Sequence, residues 1–300
     1  MPNTAAIRDD RRVSNPIFNQ RKLKLGTFQS NLDYGCLMSD VEGRLQISWA
    51  NTVALAKLAD EMEFEALLPV ARWRGFGGRL NPQGRGFETY TWASGIAALT
   101  QNAGVVATSH CSVNHPITAA KQSAAIDHIS NGRYILNIVT GWNKPEIDMF
   151  GAEMRPHDER YDMAEEWLHV VKRLWTEDDE FDHEGKYYKI VKGYLQPKPI
   201  QQPYPAIMNA GGSERGRHFA CKYCDLALSR WVRQALSRTK RKWKHTASSP
   251  GRNTVARSRS GHRRISSKRR PRPRRVAIPT MSCTKRATGR RSPMRSIHSD

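Results

Sequence analysis

The residues best suited to chemistry stand where apolar runs give way to loops. Gly211-Gly212-Ser213 lies between one such run and a helical pattern. Small residues there let the backbone approach a phosphate, and the free N–H groups of a helix start favour negative charge. Ser213 would add a hydroxyl, and Arg160-Tyr161, early in another helical pattern, could add a cation and a phenol. The same glycines also suit a plain strand-to-helix turn, so both readings stand on these residues alone. A second group, Asn137, Thr140, Gly141, Trp142 and Glu146, closes another apolar run. An amide inside an apolar strand costs free energy unless paired. Asn137 therefore meets a ligand or is a satisfied core amide.

Other candidates carry less. Cys221-Lys222-Tyr223-Cys224 has redox-motif spacing, but it ends a helical pattern and lacks the second pair a zinc site needs. His110, His115 and His128 do not make a metal set, and structural roles are expected for them. No metal site is assigned.

The elements that must position these groups alternate. Strands are expected at 22–28, 64–70, 104–109, 134–140, 205–210 and 226–228. Helices are expected at 49–62, 88–100, from His115-Pro116 to before Gly132, 158–175 and 213–224, with a surface hairpin over 181–190. Ser48 and Asp158 are the expected N-caps of the first and fourth helices, and the Trp and Met residues of those two helices are expected in the core. The run at 134–140 is apolar on both faces, as in a buried parallel strand. Strand–helix alternation implies a parallel sheet, because parallel neighbours need crossovers. A closed barrel of about 250 residues and an open doubly wound sheet fit it equally.

Charge divides the chain. The formal net charge is +21, yet 229–300 holds 23 Lys+Arg and one acid, leaving 26 basic and 27 acidic residues before it. The tail is rich in Arg, Ser, Pro, Thr and Lys and shows neither apolar period, so it is expected to be disordered. One reading is a basic arm that binds nucleic acid or acidic lipid. The other is a slipped reading frame, since the change is abrupt and falls inside an expected strand. The division expected is an N-terminal arm at 1–14, a globular unit at 15–228 and the basic tail at 229–300. No apolar run reaches the roughly 18 residues a membrane span needs, and the few, uneven cysteines suit a reducing cytoplasm.

Five ordered stretches of the globular unit closely resemble the bacterial luciferase-like flavin monooxygenases. They are LLPVARWRGFGG (67–78), ATSHCSVNHPITAAKQSAAIDHISNGRYILNIVTGWNKPE (107–146), HDERYDMAEEW (157–167), YLQPKPIQQPYP (194–205) and NAGGSERGRHFA (209–220). Within that superfamily they resemble the branch of alkanesulfonate, dimethyl-sulfide/sulfone, nitrilotriacetate and pyrimidine monooxygenases. The resemblance implies a TIM (β/α)8-type barrel, here incomplete at its C-terminal end. It implies reduced FMN, supplied by a separate NAD(P)H-dependent flavin reductase, together with O2 and a small organic substrate. A homo-oligomer is implied if the barrel is intact; the composition, separately, suggests no membrane role, and nucleic acid contacted only through the tail if the tail is genuine. By position in the motifs, Ala71 and Arg72 would line the flavin and substrate pocket, and Thr108 and Asn137 would act at the flavin's reactive edge. Glu146 would contact the flavin, and Arg160, Tyr161, Gly212 and Ser213 its phosphate. Val70 and Arg72 stand where the pyrimidine enzymes have Met and Lys. An organosulfur or sulfonate substrate is therefore favoured, with a pyrimidine as the alternative, and an inactive barrel with a nucleic-acid-binding tail as a third reading.

Overall fold

The computed structural model describes residues 15–228 and a strand at Val276–Ile278. The expected arm at 1–14 lies outside the described residues, as does the tail apart from that strand. The elements run β1 (Lys24–Phe28), α1 (Trp49–Glu61), β2 (Ala66–Leu68), α2 (Thr89–Leu99), β3 (Gly104–His110), α3 (Pro116–Ile129), β4 (Tyr134–Val139), α4 (Lys144–Met149) and α5 (His157–Thr176). They continue with β5 (Phe181–Glu184), β6 (Lys189–Gly193), β7 (Ala206–Asn209), α6 (Glu214–Tyr223), β8 (Leu226–Ala227) and β9 (Val276–Ile278). Every expected strand and helix is present within a few residues.

One curled sheet in the order β8-β7-β4-β3-β2-β1-β9 forms the centre. Its first six members pair in parallel, and β9 is antiparallel to β1. β5 and β6 make the separate hairpin. The strand order with helical crossovers is that of a half-barrel, consistent with an incomplete TIM barrel. Both faces of the sheet are apolar: all seven residues of β3 are buried. Alternate side chains divide between two cores. Leu67, Val105, Ala107, Leu136 and Ile207 pack under the helices, whereas Leu68, Val106, Ile135, Ala206 and Met208 share the other face with Ile17.

Caps mark several helix starts. The Ser48 side chain accepts from the Asn51 N–H, Glu88 from Tyr90 and Thr91, and His115 from Ile117 beside Pro116. Asp158 is not a cap. Pro156 takes that position, and Asp158 falls in the first turn, where a carboxylate still meets the positive end of the helix dipole. The first helix also turns differently from its apolar pattern. Leu55, Leu58, Met62 and Trp49 are exposed, while Thr52, Ala56, Ala59 and Asp60 face inward. Polar anchors choose that face: the Thr52 hydroxyl donates to the Ser30 carbonyl and accepts from Trp92 Nε1, and the Asp60 carboxylate takes the N–H groups of Gln101, Asn102 and Ala103. In α5, by contrast, Trp167 and Trp175 are buried as expected, their indole N–H groups donating to the Asn114 and Ala120 carbonyls.

Candidate active site

All nine expected site residues lie at the C-terminal edge of the parallel sheet or on the loops and helix starts beyond it. That edge is where barrel active sites form. On β3 and β4, Thr108 and Asn137 stand opposite each other in register. By alternation they share a face with Val106 and Ile135, so they cap the inner apolar core with polar groups. The Thr108 hydroxyl donates to the Pro69 carbonyl at 2.9 Å and accepts from Asn137 Nδ2 at 3.0 Å. Because its one proton goes to Pro69, the hydroxyl can only accept from the amide. Asn137 is thereby oriented, and its buried Oδ1 has no partner among the described residues. The pair presents a fixed acceptor and the second amide proton.

Ala71, Arg72 and Thr108 line one cavity of about 150 Å³, with Trp73, Thr89 and Asn114. The Arg72 and Glu146 side chains form a buried ion pair at 3.3 Å. Glu146, on the short helix α4, also accepts the N–H groups of Trp73 and Arg74 at 2.8 and 3.1 Å. It ties the loop after β2 to the loop after β4, a geometry its expected flavin contact did not include. Phe76 and Trp142 flank the guanidinium, with ring centres 4.8 and 5.3 Å from its carbon.

The turn after β7 meets α5 closely. A Cβ on Gly211 would come within 2.6 Å of the Tyr161 hydroxyl, so glycine is required where helix and turn touch. A Cβ on Gly212 would meet nothing within 4 Å, which leaves that side of the turn open. Ser213 is the N-cap of α6: its Oγ accepts from the Gly216 N–H at 3.0 Å and keeps its proton to give away. Arg160 donates to the Gly141 carbonyl, and its buried Nε has no partner among the described residues. Arg217 bonds the Gly212 carbonyl at 2.9 Å and brings a cation to the turn. An open glycine turn, a helix start, the Arg217 guanidinium and two hydroxyls form a donor set that fits a phosphate.

Three further residues stand at this edge beyond the nine expected. His110 is buried on the same strand face as Thr108, and burial pushes its imidazole down to about 4, with the Arg72 cation adding to the effect and the Glu146 carboxylate opposing it. Its position two residues beyond Thr108 was the available signal. Gln83 and Asn209 are buried at the same edge, Gln83 bonded to Arg72 Nε and Asn209 to the Ile138 carbonyl. Neither had a signal, because Gln83 lies in a loop and Asn209 reads as the end of a run. Among the described residues no group of His, Cys, Asp or Glu is arranged to hold a metal.

Comparison with known proteins agrees with this geometry. A family profile described as luciferase-like monooxygenase matches residues 33–259, running past Leu228 into the basic segment. An FMNH(2)-dependent dimethylsulfone monooxygenase of Pseudomonas putida is 32% identical over 203 residues, covering 68% of this chain and 54% of that protein. A pyrimidine monooxygenase, RutA, of Cronobacter turicensis is 32% identical over 207 residues, covering 68% and 53%. The chain thus spans about half the length of the curated relatives it matches. Among solved structures, the EDTA monooxygenase of Chelativorans sp. BNC1 superposes with a TM-score of 0.59 at 23% identity, covering 74% of this chain and 61% of that one. Long-chain alkane monooxygenase LadA gives 0.61 at 23% identity, covering 70% and 57%. Strand order, polar sheet edge and matched sequence lead to one conclusion: this chain belongs to the luciferase-like monooxygenase family.

Proposed function

We propose that the protein is an FMN-dependent monooxygenase that oxygenates a small organic substrate. The observation that carries this reading is the buried Thr108–Asn137 pair, with its unpartnered Oδ1 at the inner sheet edge. Arg160, Tyr161, Gly212 and Ser213, joined by Arg217, would hold the FMN phosphate. Reduced FMN would supply the electrons that let O2 deliver one oxygen atom to the substrate. Asn137 would hydrogen-bond the ring system, an acceptor there suiting the N–H that a flavin gains on reduction. Thr108 keeps the amide from turning. Ala71 and Arg72 would line the substrate side, and the aromatic groups around Arg72 would exclude water, which keeps a reactive oxygen species from being wasted.

The flavin would arrive reduced from a separate NAD(P)H-dependent reductase, and the enzyme would work as a homo-oligomer in the cytoplasm. No disulfide joins the cysteines among the described residues, which suits a reducing compartment. An organosulfur compound is the preferred substrate class, supported by Arg72 in place of the lysine of pyrimidine enzymes and by the dimethylsulfone relative. Oxygenation is tested with a generic flavin reductase, NADH and O2, with dimethyl sulfone, an alkanesulfonate and uracil as substrates. Oxygen-dependent product from a sulfur compound is the expected result. Product from uracil alone would reassign the substrate. Failure to bind FMN, with salt-dependent DNA binding, would favour the basic segment as the working part.

A further inference from the structure

Besides Glu146, Arg72 is held by Gln83, itself bonded to Gln29, and the proposed reaction has used neither glutamine. Gln29 follows β1, and Gln83 lies in the loop between β2 and α2. Both adopt left-handed backbone, with φ of 65° and 60°. That conformation is uncommon for a residue with a side chain, and its recurrence in two bonded residues beside a site calls for a functional account. Gln83 is buried, and its Oε1 accepts from Arg72 Nε at 3.1 Å. Its Nε2 donates to Gln29 Oε1 at 2.9 Å and to the Gly35 carbonyl at 3.3 Å.

The direction of this relay is not arbitrary. A guanidinium only donates, so Arg72 must face the oxygen of the Gln83 amide. Both Nε2 protons then point away, and two carbonyl oxygens receive them. Glu146 takes Nη1. Nε and Nη1 are thus committed, whereas Nη2 has no hydrogen-bond partner among the described residues, and Arg72 lines the cavity. We infer that Gln83, braced by Gln29, is the positioning residue that sets the Arg72 guanidinium so that Nη2 donates to an oxygen of the substrate. The substrate half of this statement rests on the monooxygenase reading; the orientation of Arg72 does not.

Two readouts test it in the full-length chain. The first is hydrogen exchange of the Arg72 Nε–H by nitrogen-15 NMR, the signal being assigned by its loss in Arg72→Lys. A slowly exchanging signal is expected. It should exchange about tenfold faster in Gln83→Met, the effect of one lost hydrogen bond, and stay slow in Gln83→Glu, which can still accept. Unchanged exchange in Gln83→Met overturns the inference. Should that variant fail to fold, Gln29→Leu removes only the outer brace and is expected to speed exchange about threefold, from the weaker loss of one partner; no change there is equally fatal. The second readout is kcat/KM in a double-mutant cycle. Gln83→Met is expected to lower kcat/KM about tenfold alone and to have no further effect in Arg72→Lys. An undiminished effect in that background overturns action through Arg72. If the unaltered chain turns over no substrate, the monooxygenase reading fails and the exchange rates alone decide the role of Gln83.

Discussion

Thr108 has a single hydroxyl proton, and the Pro69 carbonyl takes it. That commitment turns Asn137 from an ambiguous amide into a fixed acceptor, which periodicity could not reveal. Asn137→Ala removes the acceptor while leaving the Thr108–Pro69 bond in place. We expect product formed per NADH consumed to fall several-fold and hydrogen peroxide release to rise, as for other lost active-site hydrogen bonds worth roughly 10²-fold. Equal coupling in mutant and parent would remove Asn137 from the reaction. His110 yields a second expectation at this scale. Its folded-state pKa is about 4, against 6.5 for the free side chain. Above pH 6.5 both states are neutral and the histidine adds no pH dependence. As pH falls from about 6.5 towards 4 the unfolded chain takes the proton first, so stability drops by up to roughly 3 kcal/mol. Urea midpoints of the parent should therefore fall more between pH 7.5 and about 5 than those of His110→Gln, whose side chain does not titrate. Parallel profiles would show that the imidazole is not held neutral.

Single elements often do two jobs. Ser213 caps α6 and faces the open side of the glycine turn, so Ser213→Ala should cost about 1 kcal/mol of stability as well as flavin affinity. Ser213→Asp separates the two: an aspartate caps as well, but its charge repels a phosphate. We expect Ser213→Asp to keep the parent melting temperature and bind FMN at least tenfold more weakly, about the cost of one charge-assisted contact. FMN titration of both variants measures this, and full affinity in Ser213→Asp would move the phosphate elsewhere. The cap Ser48 was readable because capping is local chemistry. The inward face of α1 was not, because it depends on partners in other segments. Asp60 collects three N–H groups from residues 101–103, and that satisfaction outweighs exposing Leu55, Leu58 and Met62. The short helix α4 gave no periodic signal in six residues, yet it delivers Glu146 to the loop after β2.

Across the whole molecule, a near-neutral body is joined to a strongly basic segment. The frame-slip reading makes a definite prediction for it. Sequencing the gene across codons 220–240, with the intact mass of the expressed protein, should reveal one base whose insertion or deletion restores an apolar, alternating continuation. A frame and mass that both confirm the basic segment would instead make it a genuine arm, to be tested by salt-dependent nucleic-acid binding. The order of strands and helices, the parallel sheet and the strand-end polar groups were all legible in the sequence. Each depends on neighbours a few residues away, and binary pattern and caps report such neighbours. The five motifs added the family and the expectation of a barrel, with which the curled half-barrel sheet is consistent. What only the tertiary structure decided was which groups face each other across long stretches of chain. Pro69 with Thr108, Arg72 with Glu146, Gln83 with Gln29, and Tyr161 with Gly211 each join different loops or elements. Parallel crossovers bring those distant strand ends to one edge, and no local period encodes the pairing made there.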